Sequence, residues 1–169
     1  MLPISFNKNN QSNLNNPFYL STFIADTNLN QQENRIMQAI KDIMTSQFPA
    51  IYAHTELTDI IEQLQNHGLF GAPVLDAQKQ LIGFISEQQL LNPLLQNSYF
   101  CDGQITAQDL MSKDVLAVKS NMLVVDLATQ MQGDKPKIYP VVEDNKMIGL
   151  VTRSRVINAL KHAYLSCKH

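Results

Sequence analysis

Pro73-Val74-Leu75-Asp76, then Leu81-Ile82-Gly83-Phe84-Ile85-Ser86, is the stretch that decides the fold, because the chain writes it twice. It returns as Pro140-Val141-Val142-Glu143, then Met147-Ile148-Gly149-Leu150-Val151-Thr152. The first part of each copy is a short apolar run ending in an acid. The second is an apolar run interrupted by one glycine and closed by a hydroxyl residue. The prolines lie 67 positions apart and the glycines 66, so one residue is missing from the second copy's turn. Turns tolerate such a loss and packed strands do not. A repeat of this period points to two copies of one supersecondary unit buried against each other.

Outward from that stretch the same order holds in both halves. Ala50-Ile51-Tyr52-Ala53 reads as a short strand, and Thr55 is placed to cap the helix that follows. Leu57, Ile60, Ile61 and Leu64 form its apolar stripe, and Gly68 stops it. After the two strands, helix resumes at Glu87 with Leu90, Leu91 and Leu94 expected inward, and Pro93 is expected to kink or shorten it. In the second half Val115-Leu116-Ala117-Val118 answers the first strand. Val124, Leu127, Ala128 and Met131 answer the stripe at an offset of 67, and Val156, Ile157 and Leu160 answer the last helix at 66. Lys135-Pro136 sits in a two-residue insertion. Each unit reads β-α-β-β-α. A helical pattern from Gln31 to Thr45 carries Ile36, Ile40, Ile43 and Met44, and Asp42-Ile43-Met44-Thr45 is echoed by Asp109-Leu110-Met111-Ser112. The expected divisions are an asparagine-rich tail at 1–33, units at 34–96 and 105–166, a connector at 97–104 pinned by Tyr99 and Phe100, and a C-terminal end at 167–169. Phe18-Tyr19-Leu20 and Phe23-Ile24 interrupt the polar tail as apolar clusters that ask for a groove or a partner.

Composition narrows the function classes. An apolar content of 44% and a charged content of 17% suit a folded chain with a real core. The net charge of −2 argues against a nucleic-acid binder working by phosphate neutralisation. No apolar run approaches the roughly 20 residues of a membrane span, and no export signal is visible near Met1, so a cytoplasmic chain is expected. Cys101 and Cys167 form no C-x-x-C pair and read as reduced thiols. His162, Cys167 and His169 are close in sequence but lack a fourth ligand for zinc. No nucleophile is patterned with a base, so an enzyme is not expected.

The D-[IL]-M-[ST] lead-in, the P-V-x-[DE] strand and the I-G-x-[IV]-[ST] strand, in that order and repeated, resemble a tandem pair of cystathionine-β-synthase (CBS) domains over roughly residues 36–166. The resemblance implies an α/β (α+β) fold, with two β-α-β-β-α units packed through their sheets about a pseudo-two-fold axis. It also implies homodimers, a regulatory rather than catalytic role, and clefts that take AMP, ADP, ATP or another adenosyl ligand. In nucleotide-binding members the hydroxyl of a G-x-x-[ST]-x-x-[DN] pattern contacts phosphate, and the acid three residues on accepts from the ribose diol. The hydroxyls here are Ser86 and Thr152, but the acid positions hold Gln89 and Arg155. A glutamine brings no charge and an arginine cannot accept a hydrogen bond. Arg153 and Arg155 can instead hold an anion near a helix N-terminus, or stand solvated on an exposed face. Thr45 and Ser112 line the same region in ligand-binding relatives, or simply end a turn. Tyr139 is either a base-stacking ring or a strand aromatic. Two functions stand at this point. One is a sensor of a small anionic metabolite, such as an adenine nucleotide, acting on a separate effector protein. The other is a structural, dimerising or protein-interaction module with no nucleotide ligand.

Overall fold

A computed structural model describes residues 38–100 and 103–166. The asparagine-rich segment, the start of the expected helix at 31–37, both cysteines, His169 and the side chains of Tyr99 and Phe100 lie outside what it describes. The elements of the first repeat are β1 (Ile51–Tyr52), α1 (Leu57–His67), β2 (Gly71–Leu75), β3 (Leu81–Ser86) and α2 (Glu87–Phe100). A single turn, α3 (Ala107–Leu110), precedes the second set: β4 (Val118–Lys119), α4 (Val124–Gln130), β5 (Ile138–Glu143), β6 (Lys146–Thr152) and α5 (Arg153–Ser166). Each repeat forms a three-stranded sheet, β1-β2-β3 and β4-β5-β6, with the first pair parallel and the second antiparallel. The fold is therefore mixed α+β, with the expected β-α-β-β-α order in each half.

Local chemistry explains the boundaries. Gly68 adopts φ 60° after α1, and Leu69 N–H returns to the Leu64 carbonyl at 3.0 Å, closing the helix as only a left-handed residue allows. The β2–β3 turn is held by Asp76, whose carboxylate accepts the N–H groups of Gln78 and Gln80 at 2.9 and 2.8 Å. Its counterpart is shorter because Asp144 and Asn145 both take positive φ, 46° and 62°, and make a two-residue hairpin turn. That is where the missing residue went.

Several expectations are corrected. Among the described residues the segment before Pro49 is no α-helix but one 3-10 turn, Ile40–Asp42, entered by extended backbone at Ala39. Thr55 does not cap α1; its hydroxyl accepts the Tyr52 N–H at 2.9 Å, tightening the turn after β1. The strand in the second half is Val118–Lys119, while Val115 and Leu116 fall before it, Leu116 being exposed. Pro93 neither shortens α2 nor stops it before Phe100. Leu90 is buried, but Leu91 is 68% exposed and Leu94 is exposed as well; Val156 is buried while Ile157 and Leu160 are exposed. Each closing helix therefore buries one narrow edge against its own repeat, through Leu90 in α2 and Val156 in α5.

The two repeats exchange their lead-ins. Ile40 and Ile43, next in sequence to the first repeat, pack in the core of the second, with Val118, Leu127, Tyr139 and Val151. Ala107 is buried with Ile51, Ile60, Val74 and Ile85 in the core of the first, and Leu110 and Met111 pack against it. Backbone bonds fasten the exchange. Thr45 and Leu150 trade N–H to carbonyl bonds at 2.8 Å each, and Phe84 and Ser112 trade them at 2.9 Å. A third cluster, with Leu75 from one sheet and Ile138, Met147 and Leu150 from the other, joins the halves.

Candidate functional site

Two clefts of about 590 and 600 Å³ flank the junction between the sheets. Each opens where a strand ends in a hydroxyl and a 14-residue helix begins: β3 into α2 at Ser86, β6 into α5 at Thr152. Because the lead-ins cross, each hydroxyl meets the lead-in of the other repeat. The Ser86 cleft is lined by Ser112, and the Thr152 cleft by Thr45. Phe70, Lys137 and Ile138 border both clefts.

Their electrostatics differ. The Ser86 cleft carries Glu87, Asp114 and Asp134 against Lys135 and Lys137, with Phe70, Phe84 and Leu116 as apolar wall. The Thr152 cleft carries Lys137, Arg153, Arg155 and His67, and no carboxylate lines it. Thr45, Thr152, Arg153 and Arg155, all candidates by sequence, line this cleft together.

The remaining candidates are placed elsewhere. Gln89 lines neither cleft: its side-chain oxygen accepts the N–H and the hydroxyl of Ser86 at 2.8 and 3.0 Å, and its amide donates to the Leu110 carbonyl at 3.0 Å. Tyr139 is only 2% exposed, its ring inside the second core, and burial pushes its phenol above the ordinary value while Arg153 pulls it down less strongly.

The arginines have different freedom. Arg153 Nη2 donates to the carbonyls of Met131 and Lys135 at 3.0 and 2.8 Å, and its buried Nε has no partner among the described residues. It is a fixed charge in the wall. Arg155 uses Nη1 on the Ile43 carbonyl at 3.0 Å, while its own N–H is capped by the Thr152 hydroxyl at 3.3 Å. An arginine has five N–H donors, so Arg155 keeps several to offer.

Phe70, Lys137, His67 and Asp134 were missed as lining residues. The signal was present in one place: the Lys135-Pro136 insertion, which edges the Ser86 cleft. Among the described residues no group of three or more His, Cys, Asp or Glu could hold a metal ion, and no helix is long and apolar enough to cross a membrane.

Comparison with known proteins agrees with this geometry. The chain is 26% identical to the uncharacterized protein MJ1426 of Methanocaldococcus jannaschii, over 83% of this chain and 99% of that one. It is 26% identical to the A-adding tRNA nucleotidyltransferase of Aquifex aeolicus over 72% of this chain, but spans only 14% of that enzyme. Among solved structures, CBSX2, a CBS-pair protein of Arabidopsis thaliana solved in complex with AMP, superposes with a TM-score of 0.63 at 29% identity, covering 75% of this chain and 98% of that one. The family model for the CBS domain matches residues 40–95 and again 107–162, so the chain belongs to the CBS domain family as a tandem pair.

Proposed function

We propose that this chain is a non-catalytic regulatory CBS pair that senses a small anionic metabolite in the clefts between its repeats, with an adenine nucleotide as the first compound to test. The observation that carries the reading is the Thr152 cleft: three full cations and three hydroxyls around one cavity, at the start of a helix whose amide dipoles favour anions. Support comes also from CBSX2, whose structure holds AMP. A ligand acts as a signal only by binding one arrangement better than another. The lead-in is the natural responder, since Arg155 holds the Ile43 carbonyl within it. The reading further includes a cytoplasmic location, a homodimer and a separate effector protein. Exposed Leu91, Leu95, Ile157 and Leu165 on α2 and α5 support the dimer.

A second reading, an interaction module with no nucleotide ligand, is favoured by one observation: Gln89 spends its acceptor on Ser86. Thermal unfolding with AMP, ADP, ATP and S-adenosylmethionine separates the two. A ligand at 100 times its Kd adds about 2.7 kcal/mol of stability. A rise with one of them supports the sensor; no rise with any favours the interaction module.

A further inference from the structure

We infer that the Thr152 cleft binds its ligand through a phosphate or pyrophosphate group without reading a ribose, and that each chain holds one such anion. The inference rests on the sensor reading and narrows it. A ribose diol presents two donors and is read by a carboxylate or a free carbonyl. Neither repeat offers one at the position three residues after the hydroxyl. In the first, both ends of Gln89 are committed, to Ser86 and to the Leu110 carbonyl. In the second, Arg155 has only donors, no Asp or Glu lines its cleft, and the side-chain acceptors there, the amides of Gln47 and Asn66, are uncharged and lie outside the closing helix.

What the Thr152 cleft does offer is what a phosphate needs. Arg155 and Lys137 are exposed, and Arg155 retains donors beyond the one on Ile43. Arg153, pinned to two carbonyls, adds a charge that cannot swing away. Thr45, Thr152 and Ser154 add hydroxyls around a cavity of about 600 Å³. Phosphate oxygens accept charge-assisted bonds from such groups, and guanidinium matches them two at a time. The neighbouring cleft fails on charge: Glu87, Asp114 and Asp134 outnumber its two lysines and repel an anion. Hence one anion per chain.

Calorimetric titration of the full chain at low salt, with inorganic pyrophosphate, AMP and adenosine as separate probes, tests this, since screening weakens exposed charges. Pyrophosphate and AMP are expected to bind at one per chain, and adenosine not at all. Arg155→Gln and Lys137→Gln should each weaken pyrophosphate by about tenfold or more, with the thermal midpoint recorded for each to expose any loss of fold. Lys135→Gln, altered only in the other cleft, should leave affinity unchanged. Adenosine binding as tightly as AMP, two anions per chain, or loss of binding in Lys135→Gln would overturn the inference while leaving a ligand sensor standing. No binding by any of the three, with no stabilisation by the nucleotides above, overturns both.

Discussion

Gly83 and Gly149 were legible in the sequence as repeated glycines, but their purpose belongs to contacts across the exchange. A Cβ on Gly83 would meet the Met111 side chain at 2.5 Å from Sδ. A Cβ on Gly149 would meet Met44 Sδ at 2.9 Å and the Thr45 carbonyl oxygen at the same distance. Each signature glycine is the socket for the signature methionine of the other repeat's lead-in. The two sites should respond differently. Alanine at either glycine should cost about 1–3 kcal/mol by urea unfolding. In a double-mutant cycle, Met111→Ala should recover part of the Gly83→Ala loss, because the obstacle is a side chain. Met44→Ala should recover little at Gly149, because the backbone carbonyl stays. Asp109, exposed at the start of α3, closes a capping box: it accepts the N–H and hydroxyl of Thr106 at 2.9 and 2.7 Å. Those bonds, the hydroxyl's first, hold its carboxyl below the ordinary value of 3.8. A lowered folded pKa gives stability that is present above the unfolded value and lost as pH falls through the folded one. Asp109→Ala should therefore be less stable than the parent at neutral pH and converge with it below about pH 4, read from urea midpoints against pH.

At the scale of the element, the paired strands around Gly83 and Gly149 were legible, whereas the short first strand of the second repeat and the buried faces of the closing helices were not. An alternation of apolar residues around a glycine has one packing solution in a short sheet, whereas a leucine-rich helix has several. Leu90 and Val156 each anchor a helix to its own repeat; Leu91, Leu94, Ile157 and Leu160 were expected inward and face out. Sequence spacing shows that a helix has an apolar side, but its width does not say whether one surface or two will cover it. In the proposed homodimer the second surface is another copy. Leu91→Glu and Ile157→Glu, at positions 68% and 59% exposed, should leave the circular dichroism spectrum and thermal midpoint nearly unchanged while converting dimer to monomer in light scattering. A parent chain that is already monomeric would remove the dimer from the functional reading.

For the whole molecule, the exchange of lead-ins makes the halves interdependent. The second repeat's core contains Ile40 and Ile43, and Ala107 is buried in the first's. A fragment of 105–166 alone would expose the surface those isoleucines cover and leave the Leu150 amide without its Thr45 partner. Fragments 38–103 and 104–169 should each lack a cooperative unfolding transition when separate and regain one on mixing. Cooperative melting of either fragment alone would show that the exchange adds little.

The amino-acid order by itself determined the duplication, the β-α-β-β-α order and the family, because strand period, turn residues and helix stops are local and were printed twice. It also marks Thr45, Thr152, Arg153 and Arg155 as candidates, though not that they share one cleft. Only the tertiary structure decided that Thr45 faces Thr152 while Ser86 faces Ser112, that Gln89 is spent on its own strand end, and that one cleft is cationic and the other is not. The reason is physical: a local pattern fixes which way a side chain leaves its own element, but its neighbours come from another segment, 21 residues on where Gln89 meets Leu110 and 112 back where Arg155 meets Ile43, and crossing the lead-ins changes which segment that is.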